Sequence, residues 1–238
     1  MAMKDVYDTI KHAFRETVER RNIHDRTVSV SVPGYKDGDY PVLNGAEVKM
    51  IAEFEGVTGE CSTSYPSSFT GTLAQVVEMD MENDPIQRSV YFAALNGVMN
   101  KYEMADECQS CVDSDKENCG ERIAQQYVRN NGKVNCLLVG YQPYMMKALA
   151  EYFPLRVLDL DPDNIGKTHY GVTIEDGTTA YAEATRWAEV ILCTGSTLTN
   201  GTIHDYIKLP KDVTFYGTTI AGVARILEIR RVCPFGRN

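Results

Sequence analysis

The sequence predicts an α/β protein in two parts: an N-terminal α+β domain and a C-terminal domain built on a parallel sheet. Two observations support this prediction. In the first half, alternating strand patterns lie between two helical patterns, which is typical of an antiparallel sheet covered by helices. In the second half, short continuous apolar runs alternate with helical segments, which is typical of parallel strands that are buried on both faces.

The N-terminal domain is predicted over residues 1–103. It opens with an amphipathic helix at residues 3–21, where apolar side chains recur every fourth position. Strands of an antiparallel meander are predicted at residues 27–32, 48–54 and 57–65. A second helix is predicted from Asp84 to about Tyr102. Aspartate is a favoured N-cap, and the proline that follows has its φ angle already set for the first helical position.

An acidic segment with several cysteines, residues 104–120, shows no hydrophobic periodicity and is predicted to connect the two domains. Within it, Cys108, Cys111 and Cys119 follow the spacing Cys-x₂-Cys-x₇-Cys. Thiolates so placed in a loop can share a soft metal ion such as zinc, or iron in a cluster. Cys233, which precedes a proline, is the candidate for a fourth ligand. The alternative is a loop whose exposed thiols bind nothing.

The C-terminal domain is predicted over residues 121–238. Its strands are predicted from apolar runs at residues 134–139, 156–160, 190–193 and 213–216. Helices are predicted after Pro143, near residues 182–188 and around residues 201–207. This alternation of strands and helices indicates right-handed crossovers and therefore parallel strands.

The strand ends of this domain are the predicted ligand site. In an open parallel sheet, ligands bind outside the carboxyl ends of the strands, where the strand order reverses. The four strand-end loops, rich in glycine and small polar residues, are residues 140–143, 159–164, 194–201 and 217–219. Such residues allow close backbone approach and offer hydrogen-bond donors. We predict that they form one pocket, to which Asp161, Gly195, Ser196 and Thr218 contribute. The alternative is that each loop is an ordinary turn.

NAD is not expected as a cofactor. Asp159 lies 19 residues after Gly140, close to the spacing of the acidic residue that binds a ribose in dinucleotide-binding proteins. However, the first turn reads Gly-Tyr-Gln-Pro and lacks the second and third glycines of that motif. Those glycines bring the backbone close to a pyrophosphate.

The composition narrows the expected partners and location. No segment approaches the roughly 20 apolar residues of a membrane helix, and the charged opening residues do not resemble an export signal, so we expect a cytoplasmic protein. Seven cysteines, an odd number, argue against a disulfide framework in that compartment. Residues 1–118 carry 11 basic and 21 acidic side chains, a balance that disfavours nucleic acid and suits cations. The sequence does not determine the oligomeric state and is compatible with a homo-oligomer.

Three stretches resemble the heavy-metal chelation domain family. Residues 194–203, Thr-Gly-Ser-Thr-Leu-Thr-Asn-Gly-Thr-Ile, resemble its signature, and residues 139–143 resemble its first Rossmann-like turn. Residues 93–96, Ala-Ala-Leu-Asn, resemble a helix of the N-terminal domain that accompanies it. The resemblance implies an enolase-N-terminal-like domain joined to a Rossmann-like domain, with a site in the cleft between them. It also implies cleft positions for Asn96, Gly140, Pro143, Asp159, Thr197, Asn200 and Gly201.

Besides a scaffold protein whose cysteine loop is structural, two functions follow as hypotheses. The first is a metal-ion or metal-chelate binding protein with its site in the interdomain cleft. The second is an enzyme that acts on a phosphorylated or nucleotide-like small molecule at the strand ends, where helix N-termini attract negative charge. The sequence specifies neither the metal nor a reaction.

Overall fold

The computed structural model describes residues 3–36, 38, 40–41 and 43–238, which form two domains with one main sheet each. The helices are α1 (Met3–Arg20), α2 (Leu73–Val77), α3 (Pro85–Lys101), α4 (Lys116–Asn131), α5 (Pro143–Tyr152), α6 (Tyr181–Trp187), α7 (Thr197–Asn200), α8 (Ile203–Ile207) and α9 (Ala221–Ile226). The strands are β1 (Thr27–Ser31), β2 (Val48–Phe54), β3 (Val57–Thr63), β4 (Phe69–Thr72), β5 (Cys136–Val139), β6 (Leu155–Asp159), β7 (Thr168–His169), β8 (Val172–Asp176), β9 (Val190–Thr194), β10 (Asp212–Tyr216) and β11 (Arg231–Val232).

The N-terminal domain contains an antiparallel sheet in the order β3-β2-β1-β4. The predicted meander is therefore present, and β4 extends it on the far side of β1. Strand β4 escaped prediction because its four residues, Phe-Thr-Gly-Thr, carry no apolar alternation. It runs directly into α2, where Thr72 caps the helix by accepting a hydrogen bond from the Gln75 amide, 3.4 Å away.

From Arg88 to Asn100, helix α3 is buried on all sides, because it lies between the N-terminal sheet and helices α7 and α9 of the other domain. The predicted cap forms as expected: the Asp84 carboxylate accepts hydrogen bonds from the amides of Ile86 and Gln87 at 2.9 and 3.0 Å. Polar side chains on α3 find partners inside the protein. The buried Arg88 guanidinium donates to the carbonyls of Met81, Glu82 and Thr199, and the last of these bonds reaches α7.

The C-terminal domain contains a seven-stranded sheet in the order β11-β10-β9-β5-β6-β8-β7. Every neighbouring pair is parallel except β7 with β8. The four predicted strands are the central ones, and their buried side chains account for the continuous apolar runs. The strand order reverses between β5 and β9, which opens a crevice at that point.

The predicted connector is more structured than its sequence indicated. Helix α4 begins at Lys116, inside it, so Cys119 lies in a helix rather than in a loop. Ahead of α4, the backbones of Gln109 and Arg237 exchange two hydrogen bonds of 2.8 and 2.9 Å. The connector is thus paired with residues near the end of the chain.

No helix among the described residues has the length and apolar content needed to cross a bilayer.

Candidate functional site

A cavity of about 850 Å³ opens between the two domains at the carboxyl edge of the parallel sheet. Residues from all four strand-end loops line it, as predicted. The N-terminal domain closes the other side with Gly45, Ala46, Glu47 and Ser62. We refer to this cavity as the cleft. It has a volume within the range of small-molecule sites, roughly 300 to 1,000 Å³.

The first turn of the parallel sheet is fixed by its neighbours at the point where the strand order reverses. Gly140 has φ +87°, and a Cβ placed there would lie 2.8 Å from the Thr194 methyl carbon. The loops after β5 and β9 therefore touch, and only glycine fits between them. The buried Tyr216 hydroxyl lies 2.9 and 2.8 Å from the carbonyl oxygens of Val139 and Gly140 and can donate to either.

The carboxylate of Asp159 organises the loops rather than pointing free into the cleft. One oxygen accepts a hydrogen bond from the Tyr141 amide at 2.5 Å, and the other accepts from the Asp161 amide at 2.7 Å. The Tyr141 amide belongs to the first turn, where a dinucleotide-binding domain uses its backbone to approach a phosphate. Because a carboxylate already occupies this donor, the turn does not favour a second anion.

Glu47, on the loop before β2, is the site residue that the sequence did not reveal. Its carboxylate accepts hydrogen bonds from the Ser196 hydroxyl at 2.7 Å and from the Asn200 amide at 3.4 Å. Both donors belong to the stretch that resembles the family signature. Gly45 allows this approach, because a Cβ there would lie only 2.1 Å from the Leu160 carbonyl oxygen. The bond from Ser196 to Glu47 therefore joins the two domains across the cleft.

The pKa of Glu47 is raised from its ordinary value to about 7. The main cause is desolvation. The residue has a water-accessible surface because it faces the cleft, but protein surrounds it on the remaining sides. The hydrogen bonds from Ser196 and Asn200 lower the pKa, and the negative charge of Asp159 raises it further. Glu47 is therefore close to half-ionised at neutral pH.

The charged residues of the cleft are mostly acidic. Within the described part of the chain, its lining contains the carboxylates of Glu47, Asp159, Asp161 and Asp205, with Lys116 as the single basic side chain. Lys116 is itself paired with Asp113 at 2.7 Å. A cleft with this charge balance favours a cation over a phosphate.

Tyrosines form much of the remaining wall of the cleft. The lining includes Tyr141, Tyr144, Tyr181, Tyr206 and Tyr216. Tyr141 stacks on His169 of β7 with ring centroids 5.7 Å apart and an interplanar angle of 13°. Aromatic walls with few polar groups are typical of sites for organic ligands.

Most of the predicted site residues line the cleft. They are Gly140, Pro143, Asp159, Asp161, Gly195, Ser196, Thr197, Asn200 and Thr218. Asn96 does not line it: this residue is fully buried and binds the backbone beneath the loop of Thr218. Gly201 also lies outside the lining. It adopts φ +77° and ends α7, a conformation that favours glycine.

The four cysteines predicted as metal ligands fall into two groups by exposure. Cys111, Cys119 and Cys233 are half-buried and line the cleft. Cys108 is fully buried, and its sulfur lies 3.6 Å from the Ala105 carbonyl oxygen, so it faces the core instead. Across the described residues, no three His, Cys, Asp or Glu side chains already stand in the arrangement of a metal site. The thiol site therefore stays a prediction.

Comparison with known proteins gives a family match and two similar folds. Residues 124–228 match the family model DUF364, "Putative heavy-metal chelation". A DUF364 protein of unknown function from Pyrococcus horikoshii is 17% identical with a TM-score of 0.56, over 90% of this chain and 79% of that chain. A second, from Desulfitobacterium hafniense DCB-2, is 12% identical with a TM-score of 0.50, over 80% of this chain and 77% of that chain.

No curated protein matches this chain. At such low identities the two solved structures show a shared fold and nothing about a ligand. The resemblance that the sequence suggested is nevertheless confirmed: residues 124–228 match the DUF364 family, within a two-domain α/β fold that solved DUF364 proteins share.

Proposed function

We propose that the cleft binds a cationic metal chelate, meaning a metal ion carried together with an organic ligand, as its cargo or substrate. The charge of the lining is the main support, because four carboxylates face one lysine that is already paired. The match to a heavy-metal chelation family points to the same class of ligand.

The residues present fit a chelate better than a bare ion. Both oxygens of Asp159 already accept backbone hydrogen bonds, and no ready group of three ligating side chains lies among the described residues. A bare hard ion needs several free oxygen ligands. A metal ion that brings its own ligands needs from the protein only an opposite charge, a cavity of matching shape and apolar contact. The tyrosines and the volume of about 850 Å³ supply the last two.

Glu47 would supply the charge that balances the ligand. Ser196 and Asn200 hold its carboxylate, so little side-chain entropy remains to be lost when a ligand binds. When Glu47 loses its proton it attracts a cation, and when protonated it does not. Its pKa of about 7 makes this charge depend on pH in the neutral range.

The alternative, an enzyme for a phosphorylated or nucleotide-like molecule, receives less support. The same acidic lining would repel a phosphate, and the Tyr141 amide at the first turn already binds Asp159. Helix α7, which follows the signature loop, has only four residues and therefore offers a weak dipole.

The test is equilibrium dialysis against Ni²⁺ alone, phenanthroline alone, the cationic Ni²⁺–phenanthroline complex, and ATP. The protein used is a variant in which Cys111, Cys119 and Cys233 are replaced by serine, so that thiols of the cleft wall do not bind free Ni²⁺. We expect the complex to bind at least about tenfold more tightly than Ni²⁺ alone, a difference of about 1.4 kcal/mol, and ATP not to compete with it. Tighter binding of ATP than of the complex would instead favour the phosphorylated-ligand alternative.

Binding of the complex should strengthen as the pH rises. Ionised Glu47 is negative, so the affinity should increase about tenfold between about pH 6 and 8, around its pKa of about 7. Glu47→Gln should bind weakly at both pH values, with no such increase. Glu53→Gln is the matched control, because Glu53 is an exposed residue of β2 outside the cleft lining. An unchanged pH dependence in Glu47→Gln would rule out this role.

A further inference from the structure

The seven cysteines of this chain fall into a buried group and a half-buried group, and the half-buried ones lie at the same place in the fold. Four of the seven are buried: Cys61, Cys108, Cys136 and Cys193. The other three are half-buried, and all three line the cleft. Buried cysteines behave as small apolar residues, so the thiols that a ligand can reach all lie on this wall.

These three thiols come from separate parts of the chain. Cys111 belongs to the connector, Cys119 to the first turns of α4, and Cys233 to the segment after β11. Because 122 positions separate Cys111 from Cys233, their shared place on one cavity wall arises from the tertiary fold.

Arg231 and the Gln109–Arg237 pair hold the two outer segments together. The Arg231 guanidinium donates to the carbonyl oxygens of Asp106 and Glu107 at 3.0 and 2.7 Å, and to the Glu107 carboxylate at 3.1 Å. Its Nε donates to the carbonyl oxygen of Gly217 at 2.9 Å, which anchors the cluster to the end of β10. The backbone carrying two of the thiols is therefore positioned before any ligand arrives.

We propose that Cys111, Cys119 and Cys233 together bind a soft, thiophilic metal centre on the wall of the cleft, without Cys108. Three protein thiolates leave the fourth position of a tetrahedral centre available. Since the thiols line the cavity, this position faces the cleft, where an exogenous ligand can occupy it. The site uses neither Glu47 nor the residues that hold it, and it does not rest on the proposed function.

The chemistry of binding is a proton exchange. Each thiol gives its proton to the solvent as its sulfur bonds to the metal, and no electron is transferred. Burial and the neighbouring Cys233 and Cys111 raise the pKa of Cys119 to about 12. Burial likewise raises the pKa of Cys233 above its ordinary range, although Arg231 opposes the shift. A metal ion favours the thiolate form, so metal binding itself supplies the free energy that removes these protons.

Metal binding requires the thiol side chains to turn toward one another, because no three side chains among the described residues already form a metal site. A cysteine sulfur changes its position by rotation about the single Cα–Cβ bond. Cys108 cannot join it as readily, because its sulfur faces the carbonyl oxygens of Ala105 and Asp106 at 3.6 and 3.9 Å.

The experiment uses the full chain, purified without oxygen, stripped with a chelator and titrated with Co²⁺ while the thiolate-to-cobalt charge-transfer absorption is recorded. We expect one Co²⁺ per chain, with an intensity that corresponds to three thiolates, displaced by Zn²⁺. Cys111→Ser, Cys119→Ser and Cys233→Ser should each lower the affinity by more than about tenfold, since even indirect partners of a metal cause losses of this size.

Matched controls are Cys108→Ser and Cys136→Ser, which should keep the full absorption, and Glu47→Gln, which should keep it even if the cleft no longer binds a metal chelate. Circular dichroism and a Cys233→Ala variant separate loss of a ligand from loss of the fold. A parallel reconstitution with Fe³⁺, dithiothreitol as reductant, and sulfide distinguishes a cluster from a single ion on the same thiolates. Absence of thiolate absorption with both metals, or an equal loss in Cys108→Ser, would overturn the proposal.

Discussion

Gly59→Ala is expected to destabilise the protein by about 3 kcal/mol, at the upper end of the usual cost of overpacking a core. Gly59 on β3 faces α3 so closely that an added Cβ would lie 2.1 Å from the Gly97 amide nitrogen and 2.4 Å from the Asn96 carbonyl carbon. Both are backbone atoms, so the helix itself must move. For a chain of this length, the melting temperature should fall by about 10 °C.

Gly97→Ala is the control for this prediction. An added Cβ at Gly97 would meet the Ala52 side chain at 3.7 Å, an ordinary van der Waals contact. Alanine is favoured over glycine inside a helix by about 0.5 to 1 kcal/mol, so this variant should be as stable as the wild type or slightly more stable. Thermal unfolding followed by circular dichroism measures both. Equal stability of Gly59→Ala and the wild type would show that β3 and α3 do not meet at these glycines.

Asn96→Ala is expected to cost about 3 kcal/mol, because it leaves several buried backbone groups without partners. The amide nitrogen of Asn96 lies 2.9, 3.1 and 3.0 Å from the carbonyl oxygens of Glu60, Thr218 and Thr219. Its side-chain oxygen accepts a hydrogen bond from the Gly222 amide at 2.9 Å. Since Glu60 belongs to β3 and the other partners to the parallel-sheet domain, this one side chain joins both domains.

Asn100→Ala, one turn later on the same helix, is the matched comparison. The Asn100 amide donates one hydrogen bond, to the Thr58 carbonyl oxygen at 2.8 Å within the N-terminal domain. Its loss should cost about 1 kcal/mol, the usual contribution of a single bond. Urea unfolding of the two variants gives the difference. If Asn100→Ala proved the more damaging, the interdomain role of Asn96 would be refuted.

Asn96 also shows what a sequence resemblance can and cannot provide. The Ala-Ala-Leu-Asn stretch implied a cleft residue, but Asn96 is fully buried and lies outside the cleft lining. Its side-chain amide lies within hydrogen-bond distance of the carbonyl oxygen of Thr218, a residue that lines the cavity. A motif identifies a position that is constrained, whereas burial decides whether the constraint comes from a ligand or from packing.

The elements that could be predicted are those whose pattern is local. Helix α1 shows its apolar spacing directly, Asp84 and Pro85 mark the start of α3, and the central parallel strands are unbroken apolar runs. Helix α4 buries Gly120, Ile123, Ala124 and Tyr127, which follow the helical spacing i, i+3, i+4 and i+7, but only Ile123 among them is a large aliphatic residue, so the signal is weak. Strand β11 has two residues and forms only because β10 lies beside it.

The candidate site likewise contains features that the sequence predicts and features that it does not. The strand-end loops could be predicted to converge, because the carboxyl ends of parallel strands meet at one edge of a sheet. Glu47 could not be predicted, since its bond to Ser196 spans 149 positions and nothing near it in the sequence points to that partner. Spacing also could not separate Cys108 from Cys111, because it carries no information about which thiol is buried.

The all-round burial of α3 bears on how far the two domains are modules. One face of this helix packs on the N-terminal sheet, and another contacts α7 and α9. Each domain therefore relies on the other to cover part of its surface. Separated from its neighbour, the N-terminal domain would expose apolar residues such as Val90, Leu95 and Met99 wherever they face the other domain. The chain has two topological units that share one buried helix, and the cleft lies between these two units.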